Sequence, residues 1–434
     1  MNLNSTKFKQ TEIGEIPEDW KVKSLGEVVE VKGRIGWRGY TINDLRDSGS
    51  LVLGGTQIVN NKIDLSKPTY LSEEKYLESP EIIVKQGDII ITKTGNSIGD
   101  VAIVDFDIGK ATINPNVALL KSKENINSEF LYYWLINEYA QNFLKNGSSA
   151  SAQPAINQET IRKLLVVFPK IDEQQNIVSI FSSLDNKIEL NLKMNKTLEE
   201  IGKTLFKSWF VDFEFPNENG KPYKSCGGKM VDSELGKIPE GWGVKTLKEI
   251  CSITNGGTPS RQINNYWENK DILWIKTGEL NDGVIFDSEE KISKLGLQKS
   301  SAKLLPVNSI VIAIYAAPTV GRLGILKHEA TTNQACTGLV VKTKYSSYLH
   351  VYYWLLNLRN YFNSIAVGAA QQNISKGVIE ETKIVLPTKR IIENSKLILE
   401  SIWNKITQNT KQISNLSLIK DSLLPRLMSG KLRI

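Results

Sequence analysis

Apolar positions along this chain come in two kinds of run, and the order of the runs repeats. Short β-branched runs such as Ile89-Ile90-Ile91-Thr92 and Ser309-Ile310-Val311-Ile312-Ala313-Ile314 are bounded by Gly, Asn, Pro and Ser, the pattern of short strands punctuated by turns. They concentrate in 12–169 and 235–387. Each of these regions also carries one amphipathic stretch ending in an aromatic patch, at 128–145 and 347–363, which predicts a helix. Together they predict two compact, strand-rich α+β domains.

After each region the apolar spacing changes to threes and fours. In 172–210 the stripe is Ile177, Phe181, Leu184, Ile188, Leu198, Ile201, Leu205 and Trp209; in 389–427 it is Ile398, Ile402, Ile406, Ile413, Leu416, Ile419, Leu423 and Leu427. Such spacing keeps one face of a helix apolar. Each stretch, if helical, spans ~58 Å at 1.5 Å per residue. Asn191 and Asn409 interrupt the stripes at matched places, and a polar residue in a helical seam fixes register at some cost in stability. Neither helix can bury its stripe alone. The two pair antiparallel, or each docks back on its own domain; matched stripes favour pairing. The predicted pair interface is Leu184, Ile188, Asn191, Leu198 and Leu205 against Ile402, Ile406, Asn409, Leu416 and Leu423.

The repetition is one of sequence as well as pattern. Ile16-Pro17-Glu18-Asp19-Trp20-Lys21-Val22 returns as Ile238-Pro239-Glu240-Gly241-Trp242-Gly243-Val244, an offset of 222. Tyr133-Trp134-Leu135 meets Tyr353-Trp354-Leu355 at 220, and Val167-Phe168-Pro169 meets Val385-Leu386-Pro387 at 218. A period this long duplicates a whole domain rather than a solenoid unit. A polar segment, 214–234, reads as the linker between copies.

Composition narrows the function. The three cysteines (Cys226, Cys251, Cys336) are scattered and form no C-x-x-C, which points to a reducing compartment and away from a zinc cluster. There is no apolar run near 18 residues, and the polar N-terminus does not read as a signal peptide; a cytoplasmic chain without membrane partners is expected. Net charge is +7, unevenly spread: residues 1–170 hold 20 basic and 21 acidic side chains, residues 235–387 hold 17 and 12, and residues 388–434 hold 9 and 3. A basic total is compatible with nucleic acid without requiring it.

Catalytic chemistry is hard to find. Two histidines, His328 and His350, serve the whole chain, too few for a histidine-based triad in both copies. Gly202-Lys203-Thr204 looks like the end of a P-loop, but residue 197 is Thr and the triplet lies inside a predicted helix. Glu381-Thr382-Lys383 is the E-x-K fragment of many nucleases, yet its repeat partners include Lys163 and Leu165. Asn114-Pro115-Asn116 resembles the loop of adenine methyltransferases without its second proline and its aromatic. No metal site is expected. The chain reads as a reader, not a catalyst.

Candidate contacts lie in Gly-rich, basic loops. Lys32, Arg34, Trp37 and Arg38 fall within one nine-residue loop of the first copy, and Thr258, Ser260 and Arg261 stand at the matching place in the second. Lys93, Thr94, Asn96 and Ser97 form a second loop, matched by Tyr315, Thr319 and Arg322. Arginine pairs with guanine, amides with adenine, and Ser, Thr and Lys suit phosphate; solvated turns are the plain alternative. A third pair of loops, 147–153 and 368–373, is small and amide-rich. The copies share scaffold positions such as Pro17/Pro239 and differ in these loops, as two readers of different sequences would.

At this point the residues resemble a known family, the specificity subunits of type I restriction–modification systems. Gly14 to Trp20 and Gly236 to Trp242 look like the openings of its two target-recognition domains, Leu205 to Phe213 like the end of its central conserved helix, and Leu423 to Leu432 like its C-terminal signature. The resemblance implies an α+β fold with two pseudo-twofold-related target-recognition domains joined by two long antiparallel packed helices. The expected boundaries are 1–170 and 235–388 for the recognition domains, 171–213 and 389–434 for the conserved helices, and 214–234 for the linker. It further implies a chain that is not an enzyme by itself. Each domain would read one half of an interrupted duplex DNA target while the helices set the gap. Two modification subunits would methylate adenine with S-adenosylmethionine, and restriction subunits would add an ATP- and Mg-dependent nuclease; this chain itself would hold no cofactor. Two other readings compete: a single-chain methyltransferase or nuclease with fused recognition domains, and a two-domain binder of carbohydrate or peptide, for which Trp37, Trp267 and Trp274 could supply aromatic platforms.

Overall fold

Three consecutive isoleucines suit a strand covered on both faces, and Ile89–Thr92 is such a strand. Ile89 and Ile91 enter one apolar cluster and Ile90 enters another. The computed structural model describes residues 7–34, 39–123, 125–147, 155–268, 271–315, 319–366 and 373–434. The chain packs as two compact units: residues 1–188 with 415–434, and residues 189–414.

In the first unit, Ile89–Thr92 lies between Val101–Ile103 and Val117–Ser122, and Val29–Lys32 completes an antiparallel sheet of four. A second four-stranded sheet contains one parallel pair, Ala111–Ile113 beside Ser50–Leu53. The cluster fed by Ile90 takes Leu53, Ala111 and Ile113 from that second sheet and Leu119 from the first. The cluster fed by Ile89 and Ile91 takes Phe130, Leu131 and Trp134 from Ser128–Leu135.

The second unit repeats this plan. Ile310–Ala313 sits inside a five-stranded sheet, and its residues alternate in the same way: Ile310 and Ile312 face one cluster, Val311 and Ala313 another. A three-stranded sheet of Glu290–Ile292, Ile272–Ile275 and Ala330–Thr332 again contains a parallel pair.

Three details depart from the sequence pattern. The stretch 128–145 is two helices, Ser128–Leu135 and Glu138–Asn146, because the Asn137 side chain accepts from the Ala140 N–H at 2.9 Å and starts a new helix. The stretch 347–363 is likewise divided, into Tyr348–Asn357 and Arg359–Ile365. The expected linker, 214–234, is folded onto the second unit. Phe215 stacks on Tyr223 and on Trp242, with centroids at 4.6 and 4.9 Å, and Met230–Ser233 pairs with Gly236–Pro239.

The long helices are Ile171–Phe206, continued by a π-helical turn Lys207–Val211, and Lys389–Met428. Their segments pack antiparallel inside each unit. In the first, Leu184, Leu423, Leu427 and Met428 join one cluster. There the Lys420 ammonium holds Asp185 at 2.6 Å, while the Tyr133 hydroxyl donates to the same carboxylate at 2.8 Å. Arg433 clamps Asp19 and Glu173, and its hydrogen bond holds the Asp19 carboxyl below its ordinary pKa. In the second unit, Leu198, Leu205, Ile402 and Ile406 meet in one cluster. Asn191 donates to Gln412 at 2.9 Å and Asn409 donates to Asn195 at 2.9 Å. Ile188 and Leu416 are half-buried. The predicted stripes hold only in part. Ile201, Ile398 and Ile419 are exposed at 49%, 43% and 46%; Asn195 and Gly202 occupy the buried side instead. Among the described residues no helix is long and apolar enough to cross a membrane.

Candidate nucleic-acid interface

In each unit, the loops singled out in the sequence converge on one end of the sheets. In the first, the Lys93 N–H donates to the Asn116 carbonyl at 2.7 Å, the Ile156 N–H donates to the Lys93 carbonyl at 2.9 Å, and the Asn114 N–H donates to the Leu53 carbonyl at 2.9 Å. Residues 33–34, 54–57, 93–99, 114–116 and 156–158 therefore share one edge. In the second, the Ile314 N–H donates to the Ala335 carbonyl at 2.9 Å, the Ile374 N–H to Ile314 at 2.9 Å, and the Gly257 N–H to Thr332 at 2.8 Å. The hairpins are built alike: Gly99 and Gly321 both adopt left-handed φ, +85° and +79°, where a side chain would be strained.

The expected contacts meet different fates. Lys32 ends its strand beside Glu30, at 3.1 Å. Arg34 does not belong among the contacts. It is 4% exposed, its Nε donates to the Ile113 carbonyl at 2.9 Å, and its Nη2 donates to the Thr112 hydroxyl at 2.9 Å. Burial lowers its pKa, and its guanidinium lies over the Tyr40 ring. It ties the loop to the second sheet. Trp37 and Arg38 lie outside the described residues, as does nearly all of the third loop pair. Thr94 bridges Ala155, Asn96 is exposed at the hairpin tip, and Ser97 is half-buried beside Gly55. Lys93 is half-buried, and burial lowers its pKa.

In the second unit, the Thr258 hydroxyl bonds the Gln334 amide and the exposed Ser260 offers its carbonyl to the Trp267 indole N–H. Arg261 is engaged within the protein. Its guanidinium lies 3.7 Å from the Trp267 centroid and pairs with Glu290, whose carboxyl that hydrogen bond holds down to about 2. A phosphate there would compete with Glu290. Tyr315 is exposed, the Thr319 hydroxyl donates to the Tyr315 carbonyl at 2.9 Å, and Arg322 is half-buried. Trp274 is buried and donates to the Gly257 carbonyl at 2.9 Å. With Trp267 covered by Arg261, neither indole forms an open platform for a sugar ring.

Residues not among the expected contacts share these edges. Asn114 and Asn116 in the first unit correspond by strand register to Asn333 and Ala335 in the second, with Gln334 between them. The signal was available: Asn114 and Asn333 each stand three residues before the equivalent strand, at an offset of 219. Gln158 had no such signal, because only folding brings it over Gly33. Among the described residues no group of three or more His, Cys, Asp or Glu is placed to hold a metal ion. The edges present amides, hydroxyls, backbone amides and isolated cations, a set suited to hydrogen-bond readout.

Comparison with known proteins gives the same direction. The sequence model of the type I restriction modification DNA specificity domain matches residues 17–200 and again 239–417. The type I restriction enzyme MjaIX specificity subunit of Methanocaldococcus jannaschii is 29% identical over 99% of this chain and 97% of its own length. The type I restriction enzyme HindI specificity subunit of Haemophilus influenzae is 27% identical over 95% of this chain and 100% of its own. Among solved structures, the S subunit of a type I restriction-modification system from M. genitalium aligns with a TM-score of 0.60 at 14% identity, covering 94% of this chain and 96% of that one. At that identity the likeness is one of fold.

Proposed function

The chain belongs to the type I restriction–modification DNA specificity family, and we propose that it reads an interrupted duplex DNA target, one half through each unit. The observation that supports this most is the pair of matched edges. Equivalent strands carry Lys93 and Asn116 in one unit but Ile314 and Ala335 in the other. One frame with two chemistries suits two unlike half-sites. Exposed cations at the rim neutralise phosphates and set register, and amides and cations deeper in each edge meet base edges.

The long helices hold the two readers and fix the length of the unread gap. Two modification subunits dock along them. Exposed Ile201 and Ile419, 218 residues apart on the two helices, offer each modification subunit the same apolar contact. Methylation of adenine with S-adenosylmethionine, and ATP- and Mg-dependent cleavage, belong to the modification and restriction subunits; this chain contributes binding energy and register without a catalytic group.

Expression of the chain with its cognate modification subunit, followed by mapping of methylated adenines across the host genome, tests this reading. The expected result is one asymmetric motif of two specified blocks separated by unspecified bases. A single continuous motif, or no methylation with both subunits folded and associated, would refute it.

A further inference from the structure

Lys93 follows the strand Ile89–Thr92 on the side that carries Ile89 and Ile91. Strand register places it where the second unit has Ile314, 2% exposed in an apolar cluster. A cation therefore replaces a core residue in an otherwise shared frame. The ammonium lies 3.5 Å from where a Cβ on Gly33 would stand, and the Gln158 amide fills the same space, so a side chain at residue 33 would have to displace it. No carboxylate among the described residues pairs with Lys93, and burial alone shifts its pKa, downward. On the opposite face of the same strand end, the Thr92 hydroxyl is buried, 1% exposed, beside Gly55 and has no hydrogen-bond partner among the described residues.

Holding a cation partly out of water without an anion is unfavourable unless a ligand supplies the missing acceptors. A phosphate contact needs no such arrangement: a lysine at the rim, such as Lys32, can make it. An ammonium is a donor only. On the major-groove edge guanine presents two adjacent acceptors, N7 and O6, while adenine pairs its acceptor with a donor and thymine offers a single oxygen.

We propose that Lys93, steadied by the Gln158 amide over Gly33, reads a guanine in the half-site of the first unit, and that the second unit has no counterpart at this position. The inference rests on the DNA-reading function proposed above. The Lys93 amine donates to O6 and N7, and Gln158 restricts the rotamers of the lysine stem. Lys93 is a specificity residue; Gln158 is a positioning residue.

The test uses the full chain in complex with its modification subunits. Synthetic duplexes carry 7-deazaguanine, which lacks the N7 acceptor, at each guanine of the target in turn. For the wild-type complex, one guanine in one half-site should lose affinity by about tenfold on this replacement. With Lys93→Met, chosen because an apolar residue already occupies the matched position, that guanine should become insensitive, and genomic methylation should relax at that single base pair. Lys93→Arg, which keeps donors for the same edge, should restore the guanine preference, whereas Gln158→Ala should weaken discrimination at that base without altering any other. Three outcomes would overturn the inference: no guanine sensitive in the wild type, sensitivity unchanged in Lys93→Met, or Lys93→Met weakening all sequences equally as a phosphate contact would. Each is distinct from failure of the underlying reading, in which the wild-type complex would show no two-block motif at all.

Discussion

His350 shows how one side chain can be assigned by its surroundings. It is fully buried, its Nδ1 lies 2.8 Å from the Ser346 hydroxyl, and its Nε2 accepts from the Trp354 indole at 3.2 Å. Phe206 and Phe210 close the site, and Phe130 stands at the matched place in the first unit. Burial lowers the imidazole pKa from 6.5 to about 3. The unfolded chain takes up a proton near 6.5 that the folded chain refuses. The stability this group contributes is complete above that pH and is lost as pH falls toward 3. Between pH 6.5 and 5 the wild type should lose about 1.6 kcal/mol in all relative to His350→Phe, the slope steepening toward about 1.4 kcal/mol per pH unit at the acid end, read by denaturation at each pH; parallel curves would contradict the assignment. Composition counted too few histidines for two triads but gave no sign that His350 is buried. It could not separate Arg34 from Lys93, because both are cations in Gly-rich loops. Arg34 reaches the Ile113 carbonyl and turns inward, a distinction made by a contact 79 residues away in sequence.

The long helices show what periodicity resolves and what it misses. A 3.6-residue period carries the buried face from Leu198 to Gly202 rather than to Ile201. The glycine is required there: a Cβ would overlap the Tyr353 hydroxyl, which accepts from the Trp403 indole at 3.0 Å. Gly202→Ala should therefore destabilise the second unit by about 1–3 kcal/mol through overpacking. Adding Tyr353→Phe, which removes the overlapping hydroxyl, should recover part of the loss. Thermal unfolding of the three proteins measures both effects, and an unshifted Gly202→Ala midpoint would show the contact to be slack. The resemblance of Gly202-Lys203-Thr204 to a phosphate loop is thus accounted for by packing. Asn191 and Asn409 were legible as seam breaks. Their partners Gln412 and Asn195 were not, because partner choice depends on the relative register of two helices, which neither sequence stripe encodes alone.

At the scale of the whole molecule, duplication made the architecture legible. Two offset copies implied two domains, and the two units follow one sheet plan with equivalent strands in equivalent registers. The residue boundaries were less legible, since the last 20 residues pack with the first unit rather than the second and the segment taken as a linker is stacked on Trp242. The interface was legible as loops but not as an edge, because convergence of residues near 33, 93, 114 and 158 exists only in the fold. The central claim, that each unit answers for one block of the target, is tested most directly by exchange. Residues 235–387 are replaced by the same segment of another family member of known target, the hybrid is expressed with the cognate modification subunit, and methylated adenines are mapped. The account predicts that one block changes to the donor's while the other block stays as in the wild type; alteration of both blocks, or of neither, would contradict it.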